Sequence, residues 1–167
     1  MQQLQRVGFG GGCHWCTEAV FQSLIGVEKV AQGFIASNGK NSSFCEAVVV
    51  HYNPSKIALK DLIAIHLHTH NSTSTHAMRH KYRSAIYTFL EDSEPLLVSI
   101  LKELQIDFEE KLITQVLKFC DFKSSEKRFQ NYYHTDKERP FCKTHIQPKL
   151  RVLLDKFSEQ IKFQSMK

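Results

Sequence analysis

Apolar positions recur along the chain with two periods, and the places where the period changes divide it into strands and helices. Val7-Gly-Phe-Gly10, followed by Gly11-Gly12, reads as a short strand running into a tight turn that exposes the backbone. Trp15, Ala19, Val20 and Leu24 then share one face of a helix, which Gly26 is expected to close as a C-terminal cap. Val27 to Ile35 predicts a second strand, Ser37 to Ser43 a polar loop, and Phe44 to Tyr52 a buried strand that Asn53-Pro54 stops. Leu59 to His70 carries a second helix, and Asn71 to Lys81 is a long loop. Tyr82 to Phe89 predicts a strand, Pro95 to Leu104 a helix and Leu112 to Phe119 another strand. A polar connection, an aromatic patch at Phe129 to Tyr133 and a last helix at Pro148 to Phe157 complete the chain.

This order resembles a split βαβ core: an α+β, ferredoxin-like two-layer sandwich with a C-terminal helical and coil extension. The 167 residues are expected to form a single domain, residues 1–167, with its core at about 5–120 and a tail at about 121–167. Composition fits that picture, with 42% hydrophobic and 23% charged residues and no low-complexity segment. The net charge of +5 is dispersed among acidic residues, which argues for a solvated surface and against a nucleic-acid groove. No apolar run reaches the roughly 18 residues that span a membrane, and the start Met1-Gln-Gln-Leu-Gln-Arg6 lacks the features of a secretory signal. The expectation is a cytoplasmic, monomeric protein with no membrane or nucleic-acid partner.

The five cysteines, Cys13, Cys16, Cys45, Cys120 and Cys142, are an odd number for a disulfide scaffold. In a reducing compartment their roles are expected to be chemical or packing. Cys45 and Cys120 lie in apolar runs and read as small core hydrophobes. Cys13 is different, because it follows three glycines and precedes a helix. Unpaired N–H groups and a partial positive charge at a helix start favour thiolate, the nucleophilic form. Cys13-His-Trp-Cys16 also places a second sulfur one helical turn away, able to stabilise the thiolate or bond to it. A zinc site would need two further ligands at matched spacing, so no metal is expected. His66, His68 and His70 do not change this: only His66 and His70 share a helical face, and with His76 and His80 they read as packing or partly exposed side chains.

Gly11-Gly12-Cys13-His14-Trp15-Cys16-Thr17-Glu18 resembles the signature of the A-type methionine sulfoxide reductases, usually Gly-Cys-Phe-Trp followed by Gly or Cys. Gly26-Val27 through Gly33-Phe34, Glu46 through Pro54, Tyr82-Arg-Ser-Ala-Ile86, Gln130-Asn-Tyr132, Phe141-Cys142 and Pro148-Lys149 are similar to further segments of that family, in its order. The resemblance implies reduction of methionine (S)-sulfoxide, with Cys13 attacking sulfur, Glu46 protonating oxygen and Tyr82 holding that oxygen. It implies Trp15 as a wall of the methyl pocket, beside Gly12, and Cys142 as the thiol that resolves the sulfenic acid on Cys13. Cys16 is the alternative resolving thiol. No bound cofactor is implied; an external dithiol such as thioredoxin is the reductant and partner.

Three departures stand out. Phe34 replaces a tyrosine whose hydroxyl would donate to the sulfoxide oxygen. His14 replaces a phenylalanine of the methyl pocket and titrates in a range that can influence Cys13. The loop from His70 to Tyr82 is shorter than the family's and lacks its buried aspartate, leaving that space to His76, Arg79 or His80. Two other readings stay open: a general disulfide oxidoreductase using Cys13 and Cys16, and a non-catalytic sulfoxide binder.

Overall fold

A computed structural model describes residues 3–75 and 77–162. Its core is one mixed sheet of six strands: β1 (Gln5–Gly10), β2 (Val27–Ala36), β3 (Cys45–Tyr52), β4 (Ala85–Thr88), β5 (Gln115–Lys118) and β6 (Asp121–Ser124), in the spatial order β5-β4-β1-β3-β2-β6. β3 lies between β1 and β2, which α1 (His14–Gln22) connects. The β4–β5 pair is parallel and the others antiparallel. Parallel neighbours need a crossover, and α3 (Glu94–Leu104) supplies it. The protein is α+β.

Alternation along β3 explains the layering. Val48 and Val50 face α1, α2 (Leu59–His68) and α3 in the main core with Phe9, Phe21, Leu62, Ile63, Leu67 and Leu97. Ala47 and Val49 face the other way, into a smaller cluster with Ile35 and Tyr87. Fully burying one such side chain contributes about 1.5–3 kcal/mol, so the larger cluster is the one that fixes the helices on the sheet. On β2, the Glu46-facing parity brings Phe34 and Gln32 to the helix side, where the site forms.

Several expectations require correction. α1 ends at Gln22 with Ser23 as its cap, so Gly26, at φ +87°, serves the turn into β2 instead. α2 stops at His68, and Tyr82 precedes β4 instead of lying in it. The polar stretch expected to be a connection contains β6, which adds to the edge of β2, so the start of the tail belongs to the sheet. Gly33 permits this pairing: a Cβ there would stand 2.2 Å from the Lys123 carbonyl oxygen. Cys45 is buried as expected, but Cys120 is exposed at the β5–β6 turn. A short α4 (Tyr132–Thr135) precedes the last helix, α5 (Gln147–Lys156), which is continuous with a π-helical turn at Cys142–Ile146.

Candidate active site

The strand-to-helix turn places Cys13 at the N-terminal cap of α1, half-buried. Its carbonyl oxygen accepts the N–H groups of Cys16 (3.1 Å) and Thr17 (3.2 Å), starting the helix. The turn itself is braced from α2. His66 contacts the Gly10 carbonyl oxygen at 2.9 Å, and the ring of His70, stacked on His66, fills the space beside Gly11. A side chain at residue 11, where φ is +155°, would overlap that ring. These two histidines therefore pack and orient the turn. His76 lies outside the described residues.

A hydrogen bond from the Cys16 thiol holds the Cys13 thiol below its ordinary pKa, helped by the N–H groups of Trp15 and Cys16 and opposed by burial and by Glu46. The same contact, with burial, pushes Cys16 far up. The pair is thus asymmetric: of the two thiols, Cys13 loses its proton first. Lys149, carried in by α5, is largely buried, is attracted to both sulfurs and donates to the Thr69 carbonyl.

Glu46 comes from β3 and is 7% exposed. Its Oε1 accepts the His14 backbone N–H at 3.2 Å and lies 3.4 Å from His14 Nε2. Lys81 Nζ stands 3.5 Å from Oε2 and bonds to Tyr82, which raises the Lys81 pKa. Cys13, His14, Trp15, Phe34, Glu46 and Tyr82 all line one cleft of about 500 Å³, completed by Lys81, Lys123, Phe129 and Phe141. Gly12 sits in the turn beside it, with open space where a Cβ would be. Cys16 lies beneath the cleft. Cys142 does not line it: that thiol is fully buried in the π-helical turn against α1, bonds to the Asp136 carbonyl oxygen at 3.5 Å, and is raised in pKa by burial. It is near enough to Cys16 for the two sulfurs to influence each other electrostatically.

The aromatic patch of the tail forms the apolar wall. Trp15 stacks on Tyr132 at 4.2 Å between ring centroids and on Phe129 at 5.3 Å, and meets Phe141 edge-on at 5.2 Å. Glu18 anchors this wall. Its buried carboxylate accepts hydrogen bonds from Gln32 Nε2 (2.9 Å), the Asn131 N–H (3.1 Å) and the Tyr132 N–H (3.2 Å).

Sequence reasoning missed Lys81, Glu18 and the full role of Arg79. Lys81 had a signal, since it immediately precedes the Tyr82-Arg-Ser segment that resembles the family's. Glu18 had one as well, since it ends the Gly11-to-Glu18 segment that resembles the family signature, but its role was not readable because two of its partners are backbone groups more than a hundred residues away. Arg79, one of three candidates for the shortened loop, is the residue that spans it. Its guanidinium donates to the carbonyl oxygens of Ser74 (2.8 Å), Gly11 (2.8 Å), Tyr82 (2.9 Å) and Asn71, tying the loop to the glycine turn.

Comparison with known proteins places the chain in a family. The model of the family described as peptide methionine sulfoxide reductase matches residues 5–162. The peptide methionine sulfoxide reductase MsrA of Pasteurella multocida is 31% identical over 169 residues, covering 93% of this chain and 97% of that protein. The enzyme of the same name from Vesicomyosocius okutanii is 30% identical, covering 94% of this chain and 100% of that one. Among solved structures, reduced Mxr1 from Saccharomyces cerevisiae superposes with a TM-score of 0.73 at 21% identity, over 86% of this chain and 91% of that chain. Mxr1 in complex with Trx2 gives 0.61 at 23% identity, over 78% and 85%. With its whole sheet, its cysteine turn and its C-terminal wall inside the matched region, the chain belongs to the peptide methionine sulfoxide reductase family.

Proposed function

We propose that this protein reduces methionine (S)-sulfoxide to methionine at the Cys13 cleft. The single observation that carries the reading is the His14 N–H to Glu46 hydrogen bond, which ties the carboxyl group to the residue next to the lowered-pKa thiol. The sulfoxide methyl group is expected against Trp15, Phe34 and Phe141, with oxygen toward Glu46 and Tyr82. The Cys13 thiolate attacks sulfur as a proton from Glu46 reaches oxygen. The substrate S–O bond breaks as its hydroxyl passes to the Cys13 sulfur, the transient bond between the two sulfurs breaks, and methionine leaves with Cys13 as a sulfenic acid.

The direct contact between the two sulfurs supports Cys16 as the first resolving thiol. Cys13–S–OH and HS–Cys16 give a disulfide and water, and exchange with Cys142 would then carry the disulfide toward the tail. A thioredoxin-type dithiol closes the cycle by exchange, a reading supported by the complex of the related Mxr1 with Trx2. No resident cofactor or metal takes part. We read the chain as a single-domain monomer; its ferredoxin-like split βαβ core is supported by the order β4-β1-β3-β2 inside the sheet. The unpaired cysteines support a cytoplasmic setting.

The test uses each epimer of a methionine sulfoxide peptide with dithiothreitol. Wild type is expected to turn over the S epimer, Cys13→Ser to lose activity, and Glu46→Gln to lose about 10²-fold or more. Undiminished activity of Cys13→Ser overturns the mechanism. Disulfide reduction that ignores sulfoxides and survives Glu46→Gln indicates a general oxidoreductase instead, and binding without turnover a sulfoxide-binding module. Mass spectrometry after one turnover without reductant identifies which sulfurs pair.

A further inference from the structure

His14 has a buried, titratable side chain that the mechanism above leaves unused. Its Nδ1 lies 2.7 Å from the Gly33 carbonyl oxygen. A carbonyl can only accept, so Nδ1 carries a hydrogen in every protonation state of the ring. The other nitrogen, Nε2, is therefore a bare lone pair when the ring is neutral. It faces Glu46 Oε1 at 3.4 Å, with both side chains less than a tenth exposed. A neutral ring beside an ionised carboxylate would oppose two lone pairs in a place from which water is largely excluded, a costly contact. One proton between Nε2 and Oε1 removes the conflict.

We propose that His14 and Glu46 hold one shared proton, and that this pair, instead of Glu46 alone, is the acid that loads the sulfoxide oxygen. His14 is a positioning residue for that proton, acting on substrate through Glu46. The inference rests on the sulfoxide reductase reading and specifies how its acid stays charged with a proton. The step balances: the proton moves from the pair to the leaving oxygen, leaving a neutral ring and a carboxylate that solvent reprotonates.

The surroundings set the direction. At the start of α1, the Cys13 thiolate repels a bare carboxylate and so favours the loaded pair. From the loop before β4, Lys81 favours the ionised carboxylate and Tyr82 lies beside it, but the Lys81 side chain is half exposed and its pull is screened. Lys123 and Glu126 line the outer cleft, while β2 presents only Phe34 and a backbone carbonyl. Burial keeps His14 below its ordinary pKa, and its place in the first helical turn also disfavours a cation there.

The experiment measures turnover of an S-sulfoxide peptide by the full-length protein from about pH 5 to about pH 9. In His14→Phe, which restores the family's residue, the Nε2 lone pair that shares the Glu46 proton is gone, while Lys81 and the backbone N–H of residue 14 still face the carboxylate. The alkaline limb of kcat is expected to move down by about one pH unit, with roughly tenfold lower turnover at about pH 8 that recovers on acidification. Lys81→Met is expected to move the limb the other way. An alkaline limb unchanged in His14→Phe overturns the proposal. NMR of the wild type gives a readout that needs neither turnover nor a folded variant. His14 Nδ1 should stay protonated throughout, with Nε2 and the Glu46 carboxyl carbon changing in one common step. Two independent steps, with Glu46 ionising alone, would reject the shared proton. Absence of wild-type turnover with a common step would instead count against the sulfoxide reductase reading.

Discussion

Phe34 and Glu46 are directly opposed across the β2–β3 ladder, and the ring of His14 meets Phe34 edge-on with centroids 5.1 Å apart. Residue 34, where the resemblance implies a tyrosine, is therefore beside Glu46 in the cleft wall. Phe34→Tyr is expected to add a donor for the sulfoxide oxygen and raise kcat about tenfold. That is less than the 10²-fold or more typical of an oxyanion donor, because Tyr82 and Glu46 already face the cleft. Steady-state kinetics on an S-sulfoxide peptide decide it. A kcat that stays level or falls would place the oxygen away from residue 34.

How much of this was legible in the sequence depends on the range of the interaction. The glycine turn, Cys13 and α1 were readable because turn chemistry and helical spacing are local signals. The interior strand β3 was readable from Ala-Val-Val-Val. β6 was not: Asp121-Phe-Lys-Ser124 is polar and half exposed, and becomes a strand only because Gly33 lets its backbone approach β2. Cys120 read as core from its apolar neighbours, yet it falls at a turn between two short strands, where the side chain meets solvent. Arg79 was one of several candidates because its acceptors are carbonyl oxygens, which every residue possesses. The Glu46–Lys81 contact depends on strand register and loop closure together, and neither is written in the spacing of the two residues.

Cys16 is predicted to control the reactivity of Cys13 before it resolves anything. Its thiol hydrogen bond is the largest influence lowering the Cys13 pKa. Removing the donor in Cys16→Ala disfavours the thiolate, so the midpoint of Cys13 alkylation by iodoacetamide moves to higher pH. The rate near neutral pH falls severalfold. A midpoint that stays put or drops would mean that the backbone N–H groups suffice.

His66 and His70 predict a stability that declines on mild acidification. Burial holds His66 well below its ordinary pKa and pushes His70 down to about 3. An unfolded chain binds protons on these rings near pH 6.5. Below that value it carries more protons than the fold, so stability is lost as pH falls toward the folded pKa. The slope is up to about 1.4 kcal/mol per pH unit for each ring. Urea midpoints at about pH 7 and about pH 5 measure the effect. His70→Gln should flatten the slope even though it lowers stability at both values, and an unflattened slope would assign the acid sensitivity to other groups.

Glu18 is predicted to be the residue through which the tail reaches the cleft. Its carboxylate accepts the N–H groups of Asn131 and Tyr132, and Asn131 sits in the left-handed region at φ 55°. Those bonds hold Tyr132 flat against Trp15, with 11° between the ring planes. Glu18→Ala leaves two backbone donors and Gln32 Nε2 without this acceptor, a loss of about 1–3 kcal/mol for each buried group left unsatisfied. A lower thermal midpoint follows, but so would it for many buried substitutions. The discriminating measurement is KM. If the tail forms the methyl pocket, loosening it should raise KM for sulfoxide peptides severalfold. The Cys13 alkylation midpoint should hold steady, since Glu18 does not touch the thiol. A variant whose KM is unchanged, with Trp15 fluorescence like that of wild type, would show that the aromatic wall stands without its anchor.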